Sequence, residues 1–241
     1  MWFEEAERFH VDELAALVTE ETGSELHIVL APEPVWRSEE TRPGNDISRG
    51  TRHRDEPTPA EVAKLLSAPE EARYGWSSDL INDVHLRTLV ASCDQFGLVA
   101  VRENDDVFVR TFWRDHLSAV LAAVLPNKSW KIPKAPISVL RGEILAARSE
   151  TIGAPRPSRQ VARAEALAAL KPYAIAEFSA EIRDRDGHRR ITPCPLRVYE
   201  NDEGLWTLIA RPRYGDELLE FAPADLDDVA TRLDELRREL N

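Results

Sequence analysis

The chain of 241 residues contains one pattern of structural elements twice, and this repeat constrains its fold more than any other feature. The first copy spans about residues 59–125 and the second about residues 163–240. Each copy opens with a short apolar helix that ends at a proline, continues through strand-like segments joined by an acidic turn, and closes with an amphipathic helix. This duplication, in a chain without catalytic motifs, predicts a binding scaffold, and a chain of this length can form one domain or two.

Individual residues recur in the two copies at a constant spacing. Pro69 and Pro172 are separated by the same number of residues as His85 and His188. A proline-rich segment, residues 126–157, lies between the copies. We interpret it as a connector that contains no strand and at most one short helix.

The charge and cysteine content limit the possible partners and compartments. A formal net charge of −12 argues against nucleic acid as the main partner, because phosphate binding requires a basic face. The N-terminus is acidic where a signal peptide would be basic, and the longest near-apolar stretch, residues 117–125, is too short to span a bilayer. Cys93 and Cys194 have no metal-like spacing. We therefore expect a cytoplasmic protein with reduced thiols that does not insert into membranes.

Local patterns predict the elements that precede the first copy and close the second. Val11–Thr22 has helical periodicity, and Gly23 can cap its end in the left-handed conformation. Leu26–Ala31 has the composition of a strand, whereas residues 32–57 contain four prolines and are predicted to form a surface loop. The last helix is predicted to begin at Pro223, with acidic residues in its first turn and arginines in its last.

Alternating apolar and polar residues predict a meander of four strands in each copy. Two prolines, Pro193 and Pro195, fall inside one of them, which predicts either an edge strand or a strand broken by a bulge. The predicted strands are 73–77, 84–92, 96–102 and 107–112 in the first copy, and 173–183, 189–200, 205–211 and 218–221 in the second.

The sequence contains no motif that identifies a catalytic, cofactor-binding or metal site. It has neither a phosphate-binding loop nor the common hydrolase and zinc signatures. Asp184-Arg185-Asp186-Gly187 resembles the start of a calcium loop, but Pro195 stands where such a loop requires glutamate. Because Asp-Gly favours tight turns, we interpret this segment as a hairpin.

One loop has an unusual composition for a turn between strands. Leu80 and Ile81 are adjacent large aliphatic residues between Asp79 and Asp83, and Trp76 precedes them. These side chains could fold back onto the sheet, or they could form an exposed apolar tip with an acidic rim that binds a partner. We predict a partner-binding site formed by Trp76, Asp79, Leu80, Ile81 and Asp83.

Several segments of this chain together resemble the EspG family of chaperones that serve ESX (type VII) secretion in actinobacteria. The resemblance lies in a strand with its polar turn, an alanine- and leucine-rich helix that ends in proline, a charged hairpin, and a Gly-aromatic strand before the closing helix. These segments are Leu98–Asp105, Leu117–Pro126, Arg183–Arg190, Leu196–Tyr199, Glu203–Trp206 and Phe221–Asp225.

This resemblance implies a fold and a function. The fold would be a single α+β domain over residues 1–241, with a central, mainly antiparallel β-sheet, helical bundles and a quasi-two-fold relation between the duplicated halves. The function would be that of a cytosolic, non-enzymatic chaperone that binds the apolar tip of helical secretion substrates, typically PE–PPE heterodimers. The loop that family members commonly use for binding corresponds to Ser77–Asp83.

Two other functions stay open at the level of sequence. An enzyme would have a cleft between the halves and would use His85, His188 or an acidic cluster in it. A structural dimerisation module would need a large self-complementary apolar face. The sequence is compatible with either a monomer or a dimer, and it does not indicate whether the loop 32–57 takes part in binding.

Overall fold

A single antiparallel sheet runs through both halves of the chain. The computed structural model describes residues 6–32, 57–93, 96–113, 116–125, 134–148, 157–184 and 186–241. These residues form six helices: α1 Val11–Thr22, α2 Pro59–Ser67, α3 Leu117–Ala122, α4 Arg141–Arg148, α5 Arg159–Ala168 and α6 Leu226–Arg238. They also form eleven strands: β1 Glu7–His10, β2 Glu71–Asp79, β3 Val84–Cys93, β4 Phe96–Glu103, β5 Asp106–Trp113, β6 Ile137–Leu140, β7 Ala174–Arg183, β8 Arg189–Ile191, β9 Leu196–Asn201, β10 Gly204–Arg213 and β11 Asp216–Ala224. The predicted α+β class with an antiparallel sheet is confirmed.

The two halves meet where β2 pairs with β7. The strand order is β1-β5-β4-β3-β2-β7-β9-β10-β11-β6, and β8 lies beside β7 next to the end of β9. Each half contains an edge strand, two helices, a meander and a closing helix, and each edge strand pairs with the last strand of its own meander. The two-fold relation between the halves stays a prediction.

Helices cover the two faces of the sheet differently. On the first face, α1 and α2 pack over the first half around Leu14, Leu66 and Leu89, and α5 packs over the second half around Trp206. On the second face, α3 and α6 cover both halves together around a larger buried cluster that includes Leu233. Fully burying one such side chain contributes about 1.5–3 kcal/mol, so these clusters hold the helices on the sheet.

Capping residues fix where several helices begin and end. Thr58 and Glu61 form a reciprocal capping box at the start of α2, and Gly23 ends α1 with a φ of 68°. The last helix begins at Leu226 and not at Pro223 as predicted. The Asp225 side chain accepts a hydrogen bond from the Asp228 amide and so caps the helix there, which leaves Pro223 in β11.

The segment Leu26–Ala31 was predicted to be a strand, and this prediction is wrong. It forms a turn in which the His27 carbonyl accepts hydrogen bonds from the amides of Leu30 and Ala31. The Arg102 guanidinium donates to the carbonyls of Leu30 and Ala31 and holds the turn against β4. Tertiary contacts therefore override the strand propensity of this segment.

The edges of the sheet also differ from the prediction. The connector contains a strand, β6, which pairs with β11, and β1 forms the opposite edge beside β5. Both strands have four residues, too few for a recognisable alternation in the sequence. The segment 189–200, predicted as one strand at an edge or with a bulge, forms two separate strands, β8 and β9, and Pro193 and Pro195 lie between them. The loop predicted at 32–57 lies almost entirely outside the described residues.

Candidate partner-binding site

The loop between β2 and β3 exposes its two large aliphatic side chains. Leu80 is 43% exposed and Ile81 is 60% exposed, so neither folds back fully onto the sheet. Of the two conformations open at the level of sequence, the structure shows the exposed apolar tip. Partly exposed aliphatic side chains at the end of a hairpin can bury further area only by contact with another molecule.

Asp79 shapes the loop from within. Its Oδ1 atom accepts hydrogen bonds from the amides of Ile81 and Asn82, at 3.0 and 3.1 Å, and its Oδ2 atom accepts one from the Asn82 side chain at 2.6 Å. This local pattern is typical of Asx turns. The geometry therefore gives Asp79 a structural role in presenting Leu80 and Ile81.

Asp83 projects from the other side of the loop. It has a φ of 55°, a left-handed conformation that aspartate tolerates better than most residues, and its side chain is exposed. One carboxylate oxygen lies 3.3 Å from Nε2 of His85, whose Nδ1 atom lies 2.8 Å from the Ser78 hydroxyl. Asp83 therefore adds a negative charge beside the apolar tip.

Other exposed carboxylates lie at the same end of the sheet. The β4–β5 turn carries Asp105 and the β9–β10 turn carries Asp202, and the antiparallel order places both turns at the end that holds the Leu80–Ile81 tip. The tip is thus an apolar spot in negatively charged surroundings, and these charges disfavour partners that are acidic at the contact.

Trp76 connects the loop to the middle of the sheet. It is 41% exposed and lies opposite Arg87 of β3 and Glu177 of β7. Glu177 lies in turn opposite Arg197 of β9, whose Nε atom donates to it at 2.8 Å. We call Trp76, Arg87, Glu177 and Arg197 the central stripe. The stripe lies on the face that carries α1, α2 and α5, between the two groups of helices.

Sequence reasoning did not identify the central stripe beyond Trp76. Arg87, Glu177 and Arg197 occupy polar positions of predicted strands, which is the only signal they give. Their proximity follows from the register between strands about a hundred residues apart in sequence, and local patterns do not encode this register.

His85 and His188 do not form a common site. His85 lies in β3 beside the Leu80–Ile81 loop, whereas His188 lies in the turn between β7 and β8. Because β2 and β7 are antiparallel, their following turns lie at opposite ends of the sheet. The structure therefore does not bring these two histidines together.

The predicted hairpin at Asp184–Gly187 is present. Gly187 has a φ of 83°, and the Asp184 carboxylate accepts hydrogen bonds from the amides of His188 and Asp186. The bond from the His188 amide holds the pKa of Asp184 below its usual range. The side chains of Asp184, Asp186 and His188 are exposed and lie close together. The local hydrogen bonds of the turn account for this arrangement.

A pocket near the end of α3 is mainly apolar. The described residues that line it are Ala6, Leu86, Val99, Val101, Phe108, Arg110 and Val124.

Comparison with known proteins identifies the family of this chain. The model of the EspG family matches residues 10–235. The chain belongs to the EspG family. No curated protein sequence matches it.

A solved structure shows the same fold. EspG5, the type VII secretion system chaperone of Mycobacterium tuberculosis, was determined in complex with the PE25–PPE41 dimer and matches this EspG-family chain with a TM-score of 0.66. The match covers 98% of this chain and 97% of EspG5 at 18% sequence identity. Among the described residues, no helix combines the length and apolar character that crossing a lipid bilayer requires.

Proposed function

We propose that this EspG-family protein is a cytosolic, non-enzymatic chaperone of type VII (ESX) secretion. It binds the apolar tip of a helical, PE–PPE-like substrate and keeps this substrate soluble until export. The observation that carries the proposal is the exposed Leu80–Ile81 tip, which Asp79 holds at the end of the strand that carries Trp76. EspG5, which shares the fold, has a PE–PPE dimer as its bound partner.

The dimensions of the central stripe support a helical partner. The stripe lies between Arg102, which is covered by the Leu30–Ala31 turn, and Leu208, which is covered by α5. Five steps between strands separate Arg102 from Leu208, which corresponds to about 24 Å at ~4.8 Å per step. The turn over Arg102 and helix α5 over Leu208 occupy part of this distance, so the free width is smaller. It matches a single helix, which is about 10–12 Å across with its side chains.

Binding at this surface would protect the substrate by mass action. An apolar tip that is covered in the complex is not available for aggregation, and the free concentration of the aggregation-prone form falls as the complex forms. This mechanism needs exposed apolar side chains and no catalytic group. The exposed side chains of Leu80 and Ile81 meet the first requirement.

Co-expression with PE–PPE heterodimers tests the proposal. We would use a panel that includes the PE25–PPE41 dimer and detect complexes by size-exclusion chromatography with light scattering, which also reports whether the free chain is a monomer or a dimer. At least one heterodimer should co-elute with the chain. Failure of every soluble heterodimer to bind would show that the proposed function is wrong.

A double variant tests the tip itself. Leu80→Asp together with Ile81→Asp should leave the thermal unfolding midpoint almost unchanged and abolish co-elution. The matched control is Leu145→Asp, which changes a side chain that is also 60% exposed, on α4 beside Asp216 at the other end of the sheet. Unfolding of the double variant would place both residues in the core and contradict the proposed binding loop.

A further inference from the structure

The Leu80–Ile81 tip is attached to the second half of the chain through Tyr173. The Leu80 amide donates a hydrogen bond of 2.8 Å to the Tyr173 carbonyl. Asp79 and Ala174 are the last residues paired between β2 and β7. The bond from Leu80 therefore extends this ladder by one residue beyond both strands and into the binding loop.

Tyr173 is itself held by the turn between β9 and β10. Its amide donates to the carbonyl of Glu200 at 2.7 Å, and its phenol hydroxyl donates to the carboxylate of Asp202. Glu200 is buried and paired with Leu205 of β10, which makes this turn a firm support. Pro172 precedes Tyr173 and restricts the backbone on its other side.

The hydrogen bond with Asp202 raises the pKa of the Tyr173 phenol above its usual range. A phenol is protonated at neutral pH even without this shift, so the hydroxyl is able to donate there. A hydrogen bond to a charged acceptor is stronger than one between neutral groups. The side chain of Tyr173 thus restrains the residue whose carbonyl receives the Leu80 amide.

We propose that Tyr173 is a positioning residue for the partner-binding loop, with Asp202 as its support. It orders the Leu80–Ile81 tip before the partner arrives. Hydrogen bonds at strand ends open with little free energy, so loss of this support leaves fewer molecules with an ordered tip. Apparent affinity falls in proportion to the binding-competent fraction. The effect on affinity rests on the proposed function, whereas the effect on the loop does not.

Amide hydrogen exchange in the full chain, measured by NMR, tests the effect on the loop without any ligand. In Tyr173→Phe and in Asp202→Ala, the Leu80 amide should exchange about fivefold faster, because one charge-assisted hydrogen bond is lost. The control Tyr214→Phe removes a hydroxyl from a tyrosine that is 97% exposed at the opposite end of the sheet, and it should leave Leu80 unchanged. Unchanged exchange at Leu80 in Tyr173→Phe and Asp202→Ala would overturn the proposal.

Binding kinetics with a heterodimer captured in the co-expression panel test the effect on affinity. Tyr173→Phe should raise Kd about fivefold, mainly through slower association, because fewer molecules have an ordered tip. A normal Kd for Tyr173→Phe, combined with loss of binding in the Leu80→Asp/Ile81→Asp variant, would overturn the positioning role while the proposed function stands. Normal binding by the double variant would overturn the Leu80–Ile81 tip as the binding site instead, and the exchange measurement would still decide the role of Tyr173 in the loop.

Discussion

Trp76 of β2 lies directly opposite Glu177 of β7, at the line where the two halves of the chain meet. The indole is partly exposed although it lies near the centre of an eleven-stranded sheet. A large aromatic side chain between two charged neighbours, on a surface flanked by helices, has the environment of an interface anchor.

Replacement of Trp76 by alanine should weaken partner binding with little effect on folding. The expected loss is about 2 kcal/mol, or roughly thirtyfold in Kd, because tryptophan anchors dominate interface energies. Titration calorimetry with the captured heterodimer measures it. Tyr214→Ala, at the far end of the sheet, is the control and should bind like the wild type. Equal Kd values for the two variants would show that Trp76 is outside the interface.

Replacement of Gly75 by alanine should disrupt the contact between the halves. A Cβ atom at this position would lie 1.9 Å from the Glu177 carbonyl oxygen and 2.7 Å from the Phe178 ring. Because the clash involves backbone on the neighbouring strand, we expect a loss of about 3 kcal/mol or more in the free energy of unfolding. Denaturant titration provides the measurement, and Ser77→Ala on the same strand is the control. A loss below about 1 kcal/mol in the Gly75 variant would contradict this prediction. It would mean that the backbones of β2 and β7 accommodate the added Cβ atom by a small local shift.

Glu181 links the start of the chain to the second half in a buried charged network. Its Oε2 atom lies 3.3 Å from Nε2 of His27 and 2.6 Å from the guanidinium of Arg189. Burial raises the pKa of this carboxyl, but the hydrogen bonds with His27 and Arg189 outweigh burial, so the pKa lies below its usual range. Removal of the charge should cost about 3 kcal/mol, because it breaks the interactions of this fully buried carboxylate with His27 and Arg189.

The same network predicts how stability depends on pH. A carboxyl whose pKa is lower in the folded than in the unfolded state stabilises the fold above its unfolded pKa of about 4.3, and this contribution is lost as the pH falls through the folded value. As the pH falls below about 5, the free energy of unfolding of Glu181→Gln should therefore decrease by less than that of the wild type. Urea titration at several pH values measures this difference. Parallel acid profiles for the two proteins would contradict the assignment.

Loss of the cap on α6 should destabilise the fold measurably. Asp225 accepts a hydrogen bond from the Asp228 amide at 2.9 Å, and α6 packs on both halves through Leu233 and Leu236. Asp225→Ala should cost about 1 kcal/mol of unfolding free energy. Asp227→Ala removes a neighbouring exposed charge without removing the cap and should cost less than about 0.5 kcal/mol. Thermal unfolding distinguishes the two variants, and equal midpoints would exclude a role for the cap.

The elements that could be predicted from the sequence are those specified by neighbouring residues. Helix α1 follows from the spacing of Val11, Leu14 and Val18, and its end follows from Gly23. The break between β8 and β9 follows from two prolines that cannot continue a strand. The composition of the Leu80–Ile81 loop, two large aliphatic residues between aspartates, by itself indicates a candidate partner site.

Only the tertiary structure decided which of these segments lie together. It placed β1 and β6 at the edges of the sheet and Trp76 opposite Glu177. It also made Leu26–Ala31 a turn, which the hydrogen bonds from Arg102 hold, and not a strand. It also placed Tyr173 beside Leu80. These contacts join residues far apart in sequence, and their free energy comes from shared burial and from backbone hydrogen bonds between strands. Local propensity carries neither term. The sequence by itself therefore determined the elements with a clear local pattern and the composition of the apolar tip, while the sheet register determined the surface around that tip.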